Sequence, residues 1–378
     1  MKRAGPEGAS GEHWSKQKEK ARFWQMELLF FLFRLLPPPL LSLLAYPVGL
    51  GYFLFSKKSR VESRRFLDRL AAFRKHTGTA WAAGRPGRKR LSALGHISAF
   101  ALTVVEKAQA WRGNIPFKRI HFQDDDIKSL INGLEQGRGA VLLCSHLGNT
   151  ELLRALADYH RTGVSRDIPV TSIVDFEVTP FFNRMMAKLN HRALLKIISA
   201  NSIGPDSIVA LQEETDRGGL AVIAGDRTPA HTRGRFFSIP FLGAEAPFPQ
   251  GPWLLGALLE APVYAVFALR RKDLSPAPDY DMHVHRLQDP APQEPPRNSQ
   301  GPQDGGAFAE DREKAAAGSG AEYSGPSRKE RTRLMEGRAR QFAALLEGYC
   351  LQHPYQWYNF YNFWAAEGSR NGDADGQH

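Results

Sequence analysis

Cysteine is scarce: Cys144 and Cys350 are the only two in 378 residues. Two thiols cannot staple a disulfide scaffold, and this usage suits a reducing, cytoplasmic compartment. The chain has no H-E-x-x-H run and no paired C-x-x-C, so no metal is expected. It also lacks a G-x-x-x-x-G-K-[ST] phosphate loop, a strand-led G-x-G-x-x-G and a G-x-S-x-G nucleophile elbow. Nucleotide-cradling loops and a serine acyl-enzyme therefore have little support, and no cofactor is expected. Negative charge is in deficit as well, since 50 Lys and Arg face 39 Asp and Glu, giving +11 and a pI near 9.7. Such a balance favours anionic partners such as lipid head groups, an acidic carrier protein or nucleic acid.

An uninterrupted apolar run of membrane-spanning length is also missing. Between Arg34 and Lys57 lie 22 uncharged residues, but Pro37, Pro38, Pro39 and Pro47 interrupt them, where a spanning helix wants about 20 consecutive apolar residues. Residues 21–56 are expected to form helices that dip into one leaflet; a single spanning helix and ordinary core helices are the alternatives. The first 20 residues read as a disordered polar leader, and no small-residue cleavage pattern marks a signal peptide. The basic residues cluster directly after the apolar segment. Residues 56–90 hold twelve Lys and Arg, among them Lys57, Arg64, Arg65 and Lys75, against Glu62 and Asp68. That arrangement suits an anionic, cytoplasmic membrane face, with a solvated basic helix as the plain reading.

From Gly139 onward, short apolar runs alternate with helical patterns. The runs are GAVLLCS (139–145), PVTSIVD (169–175), LLKIISA (194–200), LAVIAGD (220–226) and PVYAVFALRR (262–271). Helical stretches are expected near 150–160, 178–190, 204–216 and 252–260. This alternation predicts an α/β fold with a mainly parallel sheet flanked by helices, with YDMHVHRL (280–287) as an edge strand. Residues 288–327 are rich in Pro, Gly, Gln, Ser and Ala and read as a disordered insertion, as does the tail 365–378. The main domain would then comprise 57–287 and 328–364, with a polar helix over about 328–350 and an aromatic segment, QWYNFYNFW, at 356–364.

The strongest chemical signal is Ser145-His146-Leu147-Gly148-Asn149-Thr150-Glu151, at a junction of strand and helix. Carboxyl ends of parallel strands are where such folds place ligands. Five positions apart on one helix, His146 and Glu151 would diverge by about 140°, so they can pair only if Asn149 is the N-cap and His146 sits in the loop. A carboxylate reaching back to one ring nitrogen would fix the tautomer and make the other nitrogen a base for an acceptor hydroxyl. The N–H groups of Gly148 or Asn149 would serve a thioester oxyanion. A histidine merely satisfied at a strand end is the competing reading. Asp226, ending LAVIAGD, is expected to orient a basic side chain or an acceptor hydroxyl, or else to cap a loop. Arg184 offers a planar fork for phosphate, with Arg227, Arg233 and Arg235 as possible assistants. Cys144 reads as a small buried hydrophobe, and His283 and His285 as surface residues.

Taken in order, these segments resemble the bacterial lipid A biosynthesis acyltransferases, the lauroyl and myristoyl transferases of the wider glycerolipid acyltransferase superfamily. The resemblance spans about residues 22–286 and 328–364. Beyond His146 and Glu151 it rests on Phe181-Phe182-Asn183-Arg184, Ala224-Gly225-Asp226-Arg227-Thr228, Ile239-Pro240-Phe241-Leu242-Gly243, Phe248-Pro249-Gln250-Gly251-Pro252 and His353-Pro354-Tyr355-Gln356-Trp357. Asp226-Arg227 replaces the family's more usual Asp-Gln, and with the aromatic tail it resembles a divergent branch found with bacterial polyene-lipid gene clusters. The resemblance implies an enzyme on the cytoplasmic face of the bacterial inner membrane. It would move a fatty acyl group from acyl carrier protein or coenzyme A to a hydroxyl of a lipid or glycolipid acceptor, without a covalent intermediate. In the family, an arginine placed as Arg184 is binds an anionic part of a substrate. The nearest alternative is a lysophospholipid O-acyltransferase using the same pair. A basic membrane- or nucleic-acid-binding protein without chemistry is the other, although aromatics do not interleave with the basic block and nucleic acid is not expected as a partner.

Overall fold

The central apolar runs become neighbouring strands in a computed structural model that describes residues 31–32, 35–79, 91–123, 126–153, 164–174, 197–227, 235–290 and 327–364. Helices α1 (Pro38–Phe55), α2 (Lys57–Thr77) and α3 (Ala93–Trp111) precede strand β1 (Ile120–Phe122) and helix α4 (Asp126–Glu135). Strands β2 (Ala140–Cys144), β3 (Val170–Val174) and β4 (Ile197–Ser199), helix α5 (Pro205–Asp216) and β5 (Leu220–Ala224) follow. The chain then forms β6 (Phe236–Phe241), β7 (Ala244–Pro249), α6 (Gly251–Leu258), β8 (Val263–Arg270), β9 (Tyr280–Arg286) and α7 (Arg328–Gln352). The main sheet has seven strands in the order β1-β9-β8-β2-β5-β3-β4, and β6 and β7 form a separate hairpin.

Every pairing in the main sheet is parallel except β8 with β9. The fold is therefore α/β with a mostly parallel sheet, as expected. Every residue of β2 and β8 is buried, because helices cover both faces, and the one charged member, Arg270 at the end of β8, is paired with Glu106. Alternation sorts the core. Val141, Leu143, Ala265 and Phe267 pack with α7 residues Phe342, Ala343 and Leu346, while Leu142, Cys144, Tyr264 and Val266 pack with Leu130 and Leu134 of α4. Two strand expectations need correction. The 280–287 strand is not at the edge, because β1 pairs beyond it. Its His283 and His285 are half-buried rather than surface residues: their rings stack near Tyr349 of α7, and His285 Nε2 lies 2.7 Å from the Tyr349 hydroxyl.

Helix α1 runs continuously through Pro47, and its prolines 38 and 39 occupy the first turn, where a missing N–H costs nothing. Leu41 and Ala45 lie one turn apart and bury against Leu102, Val105, Ala108 and Trp111. Ser42 and Gly49 are also buried, while Leu40, Leu43, Val48, Leu50, Leu54 and Phe55 are exposed. It is the one described helix long and apolar enough to cross a membrane, and only 22% of that stretch is buried. Helix α2 turns Ser59, Ser63, Phe66, Leu67 and Leu70 inward and leaves Lys57, Arg64, Arg65 and Lys75 exposed. The expected leader (1–20), the tail (365–378) and all of the expected insertion (288–327) but its ends lie outside the described residues; at those ends Gln288 exchanges hydrogen bonds with Gln341, Asp289 pairs with Arg338, and Ser327 caps α7.

His96 joins α2, α3 and the C-terminal segment. Its Nε2 donates to the Trp357 carbonyl at 2.9 Å, so its Nδ1 accepts from the Ser63 hydroxyl at 2.9 Å. Burial pushes its pKa down to about 4, against the opposing pull of the carbonyl bond. A folded pKa below the unfolded value means the neutral ring stabilises the fold fully above about pH 6.5. That contribution, roughly 3 kcal/mol by the linkage relation, is lost as pH falls toward 4. In His96→Gln the denaturation midpoint is expected to fall less steeply between pH 7 and 4 than in the wild type. Equal slopes would remove His96 from the acid sensitivity.

Candidate active site

Strand register builds the site. Cys144 of β2 pairs with Ala224 of β5, and the Gly225 N–H donates to the Cys144 carbonyl at 2.8 Å. Two residues past each paired position stand His146 and Asp226, so parallel neighbours deliver an imidazole and a carboxylate to the same level at the carboxyl end of the sheet. His146 Nδ1 lies 2.8 Å from Asp226 Oδ1, and the His146 backbone N–H donates to Oδ2 at 2.8 Å. The Trp357 indole N–H donates to the same Oδ2 at 3.0 Å. Asp226 is fully buried, and these three donors offset the cost of holding its charge there.

The partner of the ring differs from the expected one. Glu151 accepts from the Trp111 indole N–H at 3.0 Å, and the carboxylate on the ring is that of Asp226, 80 residues away in sequence. The physical reason is sheet adjacency: β5 ends beside β2, whereas Glu151 lies in the short helical turn that follows, facing α3. Asp226 meets the basic ring through one oxygen and the backbone N–H of the loop through the other, so the two expected roles, orienting a basic side chain and capping a loop, coincide in its contacts.

The loop after His146 corrects a second expectation. Gly148 N–H donates to the Gln356 carbonyl and Asn149 N–H to the Ala268 carbonyl, both at 2.9 Å, so neither amide is available to an oxyanion. Gly148 has φ +75°, and a Cβ there would lie 2.1 Å from the Ala268 oxygen; only glycine fits this close approach to β8. The Asn149 carbonyl accepts from Leu152 N–H, as at a helix start, but the Asn149 side chain donates to the Tyr280 hydroxyl at 3.3 Å instead of capping. Tyr280 in turn donates to Glu106, whose carboxylate pairs with Arg270 at 2.8 Å, and all of these groups are buried. Burial raises Glu106 to about 7, although the Arg270 charge and the Tyr280 hydrogen bond pull the other way. This network fixes the loop from beneath.

The ring's electrostatics suit a base. With Nδ1–H donated to an ionised carboxylate, Nε2 carries the lone pair, a tautomer assigned from the partner. Burial and then the Arg227 charge lower the His146 pKa, more than Asp226 raises it, so the ring is neutral at pH 7. Burial alone would raise Asp226, but His146 and Arg227 outweigh it and hold the carboxyl below its usual value. The His146 side chain keeps 32% of its surface exposed while Asp226 has none, so the ring is accessible and its carboxylate partner is not.

Arg227 donates from Nε to Asn359 Oδ1 at 3.2 Å and from Nη2 to the Tyr358 carbonyl at 3.0 Å. Burial lowers its pKa, against the raising influence of Tyr361 and Asp226. Arg184 and Arg233 lie outside the described residues, and Arg235 is exposed at the start of β6. Sequence reasoning missed the involvement of the C-terminal segment: Tyr358 N–H donates to the His146 carbonyl at 3.0 Å, and Trp357 bridges Leu147. Its aromatic density was the available signal, and Trp357, Tyr358, Phe363 and Trp364 are core residues. Cys144 is buried in the core, as expected. No family model matches the chain, and no curated protein matches it.

Proposed function

We propose that the chain is a membrane-surface acyltransferase in which His146, oriented by Asp226, is the general base. The observation that carries this reading is the Asp226–His146 contact at the sheet's carboxyl end, with an exposed ring backed by a fully buried carboxylate. That is the arrangement a base requires. Acyl transfer, rather than another base-driven reaction, is supported by the resemblance of the ordered motifs described above. In the proposed reaction the acceptor hydroxyl attacks the thioester carbonyl as His146 Nε2 takes its proton. The carbon–sulfur bond breaks, and the leaving thiolate takes that proton from the imidazolium. Because the Gly148 and Asn149 amides are already bonded, the positive charge of Arg227 is the better candidate for stabilising the anionic oxygen. Arg184 remains a candidate for binding an anionic part of a substrate.

Acyl carrier protein or acyl-coenzyme A is the proposed donor and a lipid or glycolipid the acceptor, on the cytoplasmic face of a bacterial inner membrane. The exposed apolar side of α1, followed by the basic side of α2, supports docking on an anionic membrane surface. Because Leu41 and Ala45 bury against α3, the docking helix is part of the packed structure, and surface substitutions test it better than deletion. Replacing Leu43, Val48 and Leu54 together with serine is expected to weaken binding to vesicles containing phosphatidylglycerol by roughly a thousandfold or more, since three apolar side chains at about 1.5 kcal/mol or more each sum to at least about 4.5 kcal/mol. Folding should be retained. Unchanged vesicle affinity, or salt-sensitive binding to nucleic acid in preference to vesicles, would contradict the docking assignment.

A further inference from the structure

Resting on the proposed role of the His146–Asp226 pair, we infer that Trp357 is a positioning residue that tunes the base through the carboxylate. Its indole N–H and the His146 backbone N–H converge on one oxygen of Asp226, at 3.0 and 2.8 Å, while the other oxygen holds the ring. The two donors together prevent the carboxylate from rotating. Only one oxygen then faces Nδ1, and the tautomer with its lone pair on Nε2 is selected.

Trp357 is itself held firmly. It has no exposed surface, its ring packs edge-on against Phe66, Phe241 and Phe363, and its carbonyl accepts from His96. The preceding Gln356 exchanges hydrogen bonds with both backbone groups of Arg270, at 2.9 and 2.8 Å, and so registers the segment against β8. An indole used only for packing would not need its N–H aimed at a buried carboxylate.

The hydrogen bond also has an electrostatic consequence. A donor on Asp226 draws charge from the carboxylate and weakens its pull on the imidazolium. Without it, the Asp226 charge would be felt more strongly at the ring, and the His146 pKa would rise. Arg227 and Lys107 act on the ring in the opposite sense, and Tyr361 and Cys350 bear on the Asp226–Arg227 region. None of these is altered by a change confined to the indole N–H. The contact of His96 with Trp357 is to the backbone carbonyl, not the indole N–H, and the ring is neutral above about pH 4.

The test replaces Trp357 with benzothienylalanine, an isostere carrying sulfur where the indole carries N–H, alongside Trp357→Phe. With acyl-coenzyme A and a lipid acceptor, the isosteric protein is expected to stay folded, with a melting temperature lower by a few degrees for the donor lost to buried Asp226, and to keep its KM. Its kcat should fall roughly tenfold, and its acid limb should move up by about half a pH unit or more, since one unit corresponds to 1.36 kcal/mol. In parallel, the indole N–H resonance of Trp357 in 15N-labelled wild type, assigned by its absence in Trp357→Phe or in the isosteric protein, should shift with the midpoint of the His146 ring. That titration should disappear in His146→Ala. The spectroscopic measurement needs no substrate, so it separates failure of this inference from failure of the acyl-transfer reading. An indole resonance that ignores the His146 titration, or an isosteric protein with wild-type kcat and acid limb, would overturn the inference. So would activity lost only in proportion to the unfolded fraction.

Discussion

Replacing His146 with alanine is expected to reduce acyl-transfer turnover by about 10²–10⁴-fold, the usual contribution of general acid–base catalysis, with little change in apparent donor affinity. The ring makes its side-chain hydrogen bond to Asp226 and is partly exposed, so its removal opens no large core cavity. The backbone N–H of residue 146 would still reach Asp226 Oδ2, and the Trp357 indole would still hold the same oxygen. The melting temperature should therefore change far less than activity. If His146 were only a satisfied loop residue, a folded His146→Ala protein would keep more than about a tenth of wild-type turnover. That result would sink the mechanism.

The companion substitutions decide which carboxylate serves the base. Asp226→Asn should lose turnover by a comparable factor, because the amide presents a donor to one side of a site built wholly of donors. If the amide nitrogen faces Nδ1, it favours the tautomer with the proton on Nε2, where a lone pair is needed. If it faces the other way, it meets the His146 and Trp357 N–H groups. Glu151→Gln is expected to lose no more than a few-fold, since the Gln carbonyl can still accept from Trp111. In wild type, turnover should fall on acidification with a midpoint below the ordinary histidine value of about 6.5, because burial and Arg227 depress the ring's pKa. Measured with matched melting curves, a severe loss in Glu151→Gln and a mild one in Asp226→Asn would reverse the assignment.

Legibility followed physical cause. The five apolar runs from 139 to 271 became strands because a sheet covered on both faces admits no polar alternation, which makes such strands conspicuous. Strand β1 escaped notice because three residues, Ile-His-Phe, carry no period, and the β6–β7 hairpin was hidden by Pro240, Pro247 and Pro249. Helix α3 buries Ala93, Ile97, Ala99, Leu102, Val105, Ala108 and Trp111 around much of its circumference, leaving no clean amphipathic stripe. At the site, His146 was legible from its place at a strand end. Its partner was not, because proximity along the chain favoured Glu151, whereas strand order placed Asp226 beside it. Trp357 was singled out within its motif, but its contact with Asp226 was beyond reach for the same reason: a contact across 131 positions is set by how α7 returns the chain to the sheet's carboxyl end.

The central claim, acyl transfer by a His146 base, is tested most directly by incubating purified protein with lipid extract and a defined acyl thioester, on carrier protein or coenzyme A. Thiol release is followed together with mass spectrometry of the lipids. The account predicts one new acyl ester for each thiol released with at least one donor, suppressed by two or more orders of magnitude in a folded His146→Ala protein. No ester from either donor with wild-type protein on bacterial membrane lipid, or equal yields from wild type and His146→Ala, would contradict it.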